Sequence, residues 1–445
     1  MRAMEKSIAG IRKVPPLIVL AAVVVLAVLL PLQQGHAVVC ADSAAASKET
    51  PRHGGLQDED LEGGCAAPEE VEHENTEIEM GDQSCGCAAG QNRGSFSAPE
   101  GVQGTEIYDF HPEKQDHLDM TIYDELQAYI TAKKFDPSKV KEMPMKYIPA
   151  GEFTMGTNDP QILEDAEGPA RRVKLSAFYL DEMEVSNRQF ADFVLETKYI
   201  TEAEQFGWSF CFHGTLSKAV LDSIDVQVAE VPWWIPTPGA NWMHPNGPDR
   251  NIIADEMLDY PVVHVSHNDA RAYCEWAGKR LPREAEFERA AKGDLEGVLY
   301  PWGEEMVPNG THRANLWQGH FPDTNTAEDG YVWSSPVDSF GPQNKFGLKN
   351  IIGNVWEWVA DAWSARHRLT APDGSILTDF QVERAGHIDD PTVERVKKGG
   401  SYMCHISYCY RYRVDSRSHN TADSSAQNLG FRCALDVENP QLTQE

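Results

Sequence analysis

The stretch SHNDARAYCEWAGKRLPREAEFERAAKG, Ser266 to Gly293, shows how little regular structure this chain commits to at one time. Ser266, Asn268 and Asp269 are capping residue types, and Ala270, Tyr273, Cys274 and Ala277 follow at helical spacing until Gly278 stops the run. A second helix starts at Pro282, fills with Glu284, Ala285, Glu286, Phe287 and Ala290, and ends at Gly293. Working outward, turn residues are dense and periodic stretches short, which predicts much irregular backbone with few long elements. No Ser/Gly/Pro linker interrupts the chain from Met145 to about Asp436, so one large domain is expected over 145–436, followed by a short tail, 437–445.

With 445 residues, 41% of them hydrophobic, the chain can bury a large core. Its 69 Asp+Glu against 39 Lys+Arg give a formal charge of −30, which repels polyphosphate and argues against a nucleic-acid partner. The N-terminus carries Arg2, Lys6, Arg12 and Lys13 ahead of an uncharged apolar run, Leu17 to Leu32. That run is short of the roughly 20 residues that span a bilayer, and small residues follow at Gly35, Ala37, Val39 and Ala41. The layout reads as a signal peptide over 1–37, with an uncleaved anchor as the rival and no stable membrane span expected. Either way the remainder enters an oxidising lumen, where paired cysteines become disulfide candidates.

Residues 38–144 form an acidic extension expected to be mobile: from Asp42 to His117 there are eighteen acidic residues and four basic ones. It carries Cys85-Gly86-Cys87. These are either two unrelated thiols on a tail or a strained, easily exchanged disulfide that acts as a redox arm.

The stretch densest in reactive side chains is Gly399-Gly400-Ser401-Tyr402-Met403-Cys404-His405-Ile406-Ser407-Tyr408-Cys409-Tyr410-Arg411-Tyr412-Arg413. In a regular strand Cys404 and Cys409 would point to opposite faces, so a shared site needs a bulge or turn between them. Two thiolates suit a soft ion such as copper(I), whereas zinc would want a second Cys/His pair that the sequence does not supply at zinc spacing. A plain Cys404–Cys409 disulfide satisfies the spacing equally well.

Several ordered segments resemble the formylglycine-generating enzymes, also called sulfatase-modifying factors. They are Ile148 to Gly156, Glu184-Val185-Ser186-Asn187, Pro232-Trp233-Trp234, Gly239-Ala240-Asn241-Trp242, Trp276 to Pro282, Gly353-Asn354-Val355-Trp356-Glu357-Trp358, the Gly399 to Arg413 stretch, and Asn428 to Cys433. The resemblance implies an α+β fold, a single compact domain related to C-type lectins with little regular secondary structure. It implies an oxidase that converts a cysteine of newly made, unfolded sulfatases, in a Cys-x-Pro-x-Arg context, to Cα-formylglycine with molecular oxygen and a thiol reductant. Some of these motifs are shared with a wider superfamily that includes inactive paralogues; the cysteine pair is what marks the catalytic branch.

By the same resemblance Cys404 and Cys409 would be copper(I) ligands in a cleft that a peptide enters, with Ser401 and Trp356 beside the oxygen pocket. Glu184, His405, Tyr408, Arg417 and Asn428 match positions along the substrate groove, Glu184 to meet the substrate arginine. Taken alone, Trp356 reads as a core aromatic, Arg417 as a surface ion pair, Asn428 as a turn residue, and Glu184 as an acid that could cap a helix. Two calcium sites are implied, one at Asn315, Leu316, Asp329 and Tyr331, the other at Asn350, Ile351, Gly353 and Val355 with Glu357 as an extra carboxylate; such oxygens suit a hard cation, though Asn, Asp and Gly clusters also simply mark turns. Cys274 and Cys433 match a family disulfide, and the positions of a second, vertebrate-type bridge hold Ala291 and Val414.

Cys40, Cys65 and Cys211 have no assigned partner. Asn309-Gly310-Thr311 is an acceptor sequon that predicts an exposed, glycosylated loop, or else a plain turn. Residence in the endoplasmic reticulum lumen, or secretion from it, would rest on partners such as lumenal thiol oxidoreductases docking through Cys85/Cys87, since the chain closes on Gln441-Leu442-Thr443-Gln444-Glu445. Two other readings stay open at this level: a non-catalytic, calcium-binding lectin-like module that binds sulfatases or peptides, and a metal-free thiol-disulfide exchange catalyst.

Overall fold

Both helices expected between Ser266 and Gly293 form, the first at its cap and the second at Glu284, two residues after the expected start at Pro282. Ser266 N–H donates to Asp269 Oδ2 (2.9 Å) and Asp269 N–H to Ser266 Oγ (3.0 Å), a reciprocal box that starts the helix His267–Trp276. Gly278 ends it with φ 71°, a left-handed turn that a side chain would strain. The second helix spans Glu284–Lys292, with Gly293 at φ 64° after it. The computed structural model describes residues 143–225, 227–228, 231–378 and 393–437, with 124, 126–128 and 381 besides. The signal segment, nearly all of the acidic extension, Cys40, Cys65, Cys85, Cys87 and the tail beyond 437 lie outside the described residues.

The helices are α1 (Asn187–Thr197), α2 (Glu202–Phe206), α3 (Lys218–Leu221), α4 (His267–Trp276) and α5 (Glu284–Lys292). Among the described residues fourteen short strands make five small sheets. The first sheet joins the two ends of the domain: β1 (Met145–Ile148) and β14 (Ala434–Asp436) each pair antiparallel with β4 (Phe178–Asp181). In a second sheet β3 (Arg171–Leu175) lies between β2 (Gly151–Met155) and β10 (Leu377–Thr378). Two hairpins follow, β5 (Trp208–Phe212) with β6 (Trp234–Pro238), and β7 (Gly319–His320) with β8 (Thr324–Asn325). The largest sheet has the order β12 (Ser418–Thr421), β11 (Glu394–Lys398), β9 (Trp356–Ala362), β13 (Leu429–Phe431). No strand among the described residues exceeds seven residues, and the connections are mostly turns, as the sequence led one to expect. Among the described residues no helix is long and apolar enough to cross a membrane.

Helix α5 departs from a simple amphipathic pattern, because all nine of its residues are buried. Its charges are matched instead of exposed. Glu284 takes two bonds from Arg417 (2.7 and 2.9 Å), Glu286 two from Arg280 (2.7 Å each), and Glu288 accepts from Lys292 (2.9 Å) and Lys398 (3.1 Å). Removing one partner would strand a buried charge, so this helix is fixed by its neighbours more than by its own propensity.

The Cys274–Cys433 disulfide is present, with Cα atoms 5.7 Å apart and 159 positions between the residues. It fastens α4 to the segment between β13 and β14, closing a loop worth about 5 kcal/mol of chain entropy. Ala291 and Val414, where a second bridge would sit, are both buried and apolar.

Candidate active site

Two adjacent glycines turn the chain out of β11. Gly399 and Gly400 have φ values of 93° and 72°, and a Cβ on Gly400 would lie 3.1 Å from Tyr412 Cα. Beyond them the chain makes tight turns in place of a strand. Tyr408 N–H and Cys409 N–H both donate to the His405 carbonyl (3.0 and 2.7 Å), and this turn brings the two sulfurs of Cys404 and Cys409 to 2.7 Å. The turn that a shared site required is therefore there. Neither cysteine is in a disulfide. Their contact is well beyond the roughly 2.05 Å of a disulfide, so the plain Cys404–Cys409 bridge is not formed.

The pair is closed rather than open. Cys404 and Cys409 are both 0% exposed, while Ile406 between them is 62% exposed at the tip of the covering turn. The cleft expected to admit a peptide is therefore not open at the sulfurs. Tyr408 stacks on Phe321 (centroids 4.1 Å, 5°) and meets Trp233 edge-on at 4.9 Å, with Trp233 Nε1–H donating to its hydroxyl (3.3 Å). His405 is half-buried with Nδ1 2.7 Å from Ser407 Oγ, and burial, aided by His320, holds its pKa below the usual imidazole value. From the far side the stretch is pinned by buried ion pairs, Arg411 to Asp165 (Nη2–Oδ1 3.0 Å) and Arg413 to Glu167 (Nη1–Oε2 3.1 Å).

Ser401, Asn428 and Trp356 do come together. Parallel pairing of β13 with β9 sets Leu429 opposite Trp356, and Trp356 N–H donates to the Asn428 carbonyl (2.8 Å). The pairing needs Gly430, where a Cβ would meet the Val262 carbonyl oxygen at 2.5 Å. Asn428 Nδ2–H then donates to Ser401 Oγ (3.0 Å), Met403 N–H donates to the same oxygen (3.3 Å), and Ser401 N–H points to Cys404 Sγ (3.4 Å). Since both contacts on Ser401 Oγ are donors to it, the hydroxyl proton is left for a third group. Trp356 Nε1 and Asn428 Oδ1 are buried without a partner, as is Nε1 of Trp317, whose backbone N–H donates to the Cys404 carbonyl (3.2 Å).

Two expected groove residues lie elsewhere. Glu184 is fully enclosed, accepting from Asn350 Nδ2 (3.0 Å) and Asn354 Nδ2 (2.9 Å), and burial pushes its carboxyl up to about 7. It does not face a groove, and the cap of α1 is Ser186, not Glu184. Arg417 is also buried: it grips Glu284, donates to the Ser364 carbonyl (2.9 Å), and lies 4.2 Å over the Trp363 ring in a separate polar pocket with Arg171, Asp361 and His367. Both are enclosed by partners far away in sequence, so neither is the exposed residue that its local sequence suggests.

At the implied calcium positions, Asn315 and Asn350 each use Nδ2 as donor, to the Trp333 carbonyl (2.8 Å) and to Glu184 and the Val337 carbonyl (3.0 Å each). Each leaves Oδ1 buried with no partner, as a hard cation would want. Asp329 accepts from Leu316 N–H, Gln318 Nε2 and Tyr331 N–H (2.9 Å each), which leaves room for one further contact. Ile351, Gly353 and Val355 offer backbone carbonyls only; Gly353 is required, because a Cβ there would meet the Asn315 carbonyl oxygen at 2.6 Å. Glu357 is no spare carboxylate: both oxygens take Arg432, at 2.6 and 2.7 Å. For copper(I) the donor set fits in kind, with two soft sulfurs and no competing carboxylate, and among the described residues no three His, Cys, Asp or Glu side chains converge as a harder site. Two metal–sulfur bonds of about 2.3 Å in line would need the sulfurs further apart than they stand.

The family described as Sulfatase-modifying factor enzyme 1-like domain matches residues 131–437. The chain belongs to this sulfatase-modifying factor family. Its members include a Mus musculus protein named Formylglycine-generating enzyme, 56% identical over 291 residues, which cover 65% of this chain and 74% of that one. A Thermomonospora curvata protein of the same name is 51% identical over 293 residues, 66% of this chain and 93% of its own. A Bos taurus protein named Inactive C-alpha-formylglycine-generating enzyme 2 is 44% identical over 298 residues, 66% and 89% of the two chains. The family's α+β fold is the one described above, and its match begins ahead of Met145, where the sequence reading set the domain's start.

The residues that sequence reasoning missed are Asn354, Trp317, Trp233 and Phe321. Asn354 stood in a quoted motif, Gly353-Asn354-Val355-Trp356, and a Gly-Asn step marks a left-handed turn; that signal was there to be used.

Proposed function

We propose that this sulfatase-modifying factor is a formylglycine-generating oxidase, and that Cys404 and Cys409 hold copper(I) while a cysteine of an unfolded sulfatase is converted to the aldehyde. The observation that carries this reading is a pair of buried thiols without a disulfide, linked along the chain and across β9 to Ser401, Asn428 and Trp356, with Asn428 Oδ1 and Trp356 Nε1 buried and unpartnered. Copper(I), when bound, supplies the electron transfer to molecular oxygen that sulfur alone performs slowly. The protein's own part follows from its geometry. Ser401 N–H points at the Cys404 sulfur, and the Ser401 hydroxyl, fixed through its oxygen by Asn428 and Met403, presents its proton to the reacting group. Burial of both sulfurs keeps water and stray oxidants from them.

In the net change the substrate's side-chain thiol, one molecule of oxygen, two electrons and two protons give the aldehyde, one hydrogen sulfide and one water, the electrons coming from a thiol reductant. The two asparagine-centred loops are read as calcium sites that fasten irregular backbone. The surroundings are read as the endoplasmic reticulum lumen, with unfolded sulfatases as substrates, thiol oxidoreductases meeting Cys85/Cys87, and glycosylation at Asn309, which lies in an exposed turn.

The test is incubation with copper(I), oxygen, a thiol reductant and a Cys-x-Pro-x-Arg peptide, read by mass. Loss of one hydrogen sulfide with gain of one oxygen atom is expected. An unchanged peptide would leave the non-catalytic module, and a merely disulfide-linked one the thiol-exchange reading.

A further inference from the structure

Asn354 is 0% exposed, sits at φ 57°, and has every polar atom occupied. Its N–H donates to the Asn315 carbonyl (2.9 Å) and its carbonyl accepts from Tyr402 N–H (2.8 Å). Its Oδ1 accepts from Ser335 N–H (2.9 Å), while Nδ2 donates to Glu184 Oε1 (2.9 Å) and the Ser335 carbonyl (3.2 Å). Tyr402 lies between Ser401 and Met403, so the bond to Asn354 holds the backbone immediately before Cys404. Two more bonds run the same way: Gly353 N–H to the Gly399 carbonyl (2.9 Å) and Trp317 N–H to the Cys404 carbonyl (3.2 Å). The two asparagine-centred loops therefore hydrogen-bond to each other and to the cysteine stretch, with Asn354 at the junction. A left-handed asparagine is costly for its backbone, and its side chain is what over-determines it here.

We propose that Asn354 is a positioning residue for the Cys404/Cys409 pair, through which the Asn315 and Asn350 loops fix the backbone that carries the thiols. This rests on the pair being the reactive centre, but its test does not require turnover. Full-length chain is alkylated with iodoacetamide, and the tryptic peptide Gly399–Arg411, which contains both cysteines, is followed by mass. Asn354→Gly keeps the left-handed backbone and removes the side chain; it should raise the alkylation rate about ten-fold and lower kcat with KM changed by less than about two-fold. Asn344→Gly is the control. It deletes two bonds to the end of α5 (2.6 and 3.0 Å) without touching the cysteine stretch, and should alkylate like the parent. If Asn354→Gly does not fold, Asn354→Asp carries the test: it keeps the acceptor, loses the donor to Glu184, and should alkylate about three-fold faster. A parental alkylation rate in the folded Asn354 variant, or equal acceleration in Asn344→Gly, overturns the proposal whether or not the chain makes formylglycine.

Discussion

Two cysteine pairs in one domain have opposite fates. Cys274 and Cys433, 159 positions apart, are bonded; Cys404 and Cys409, five apart, stand with sulfurs 2.7 Å from one another and are not. The first pair joins a helix to a strand segment, elements that hold each other in place by other means, and the bond adds a staple to them. The second lies on turns that hold the sulfurs together without a bond, so neither thiol is consumed in a disulfide. Proximity in sequence is thus a poor guide to bonding, and the surrounding backbone decides.

The largest expected effect tests the second pair. Cys409→Ser should abolish peptide conversion, a loss of at least about 10³-fold in kcat/KM, with the urea midpoint close to the parent's; retained turnover would remove the assignment of that thiol. The first pair should answer in the reverse sense. Replacing Cys274 and Cys433 together by Ser should cost about 5 kcal/mol of unfolding free energy, seen as a lower urea midpoint, while conversion at low temperature persists in the folded fraction. A next, smaller effect concerns what aims the second pair: Ser401→Ala should lower kcat about 10²-fold with little change in KM, and an equal rise in KM would mean that the hydroxyl binds peptide instead.

The smallest effect lies beside the staple. His267, at the start of the helix that carries Cys274, is buried, and burial, with Arg395 and Arg271, lowers its pKa to about 3. The unfolded chain takes up that proton near 6.5 and the folded chain does not, so stability is complete above pH 6.5 and declines as pH falls toward 3. By pH 5 the loss should be about 2 kcal/mol. Urea midpoints of the parent and His267→Gln at pH 7 and pH 5 measure it, and an equal decline in both would place the acid sensitivity elsewhere.

What was legible in the sequence was local. Ser266 with Asp269, and Gly278 and Gly293, signal helix ends through bonds made within a few residues, and those ends were read correctly. The need for a turn between Cys404 and Cys409 followed from strand geometry alone. Burial is different in kind. Nothing near Glu184 or Arg417 says that each is enclosed, because their partners, Asn350 with Asn354 and Glu284, are more than 130 positions away. Helix α5 teaches the same lesson: its charges look solvated on paper and are buried by ions from three other segments. The family resemblance named candidate site residues; the fold shows which of them touch.

The first sheet has a consequence for chain order itself. β1 and β14 flank β4 and run parallel to each other, with Met145 opposite Asp181 and Asp436 opposite Phe178. Two inter-strand steps of about 4.8 Å and three residues of about 3.4 Å put the start of one and the end of the other roughly 14 Å apart. A linker of about five or six residues spans that gap, so the domain should tolerate circular permutation, with new ends opened at the exposed turn around Asn309 and Gly310.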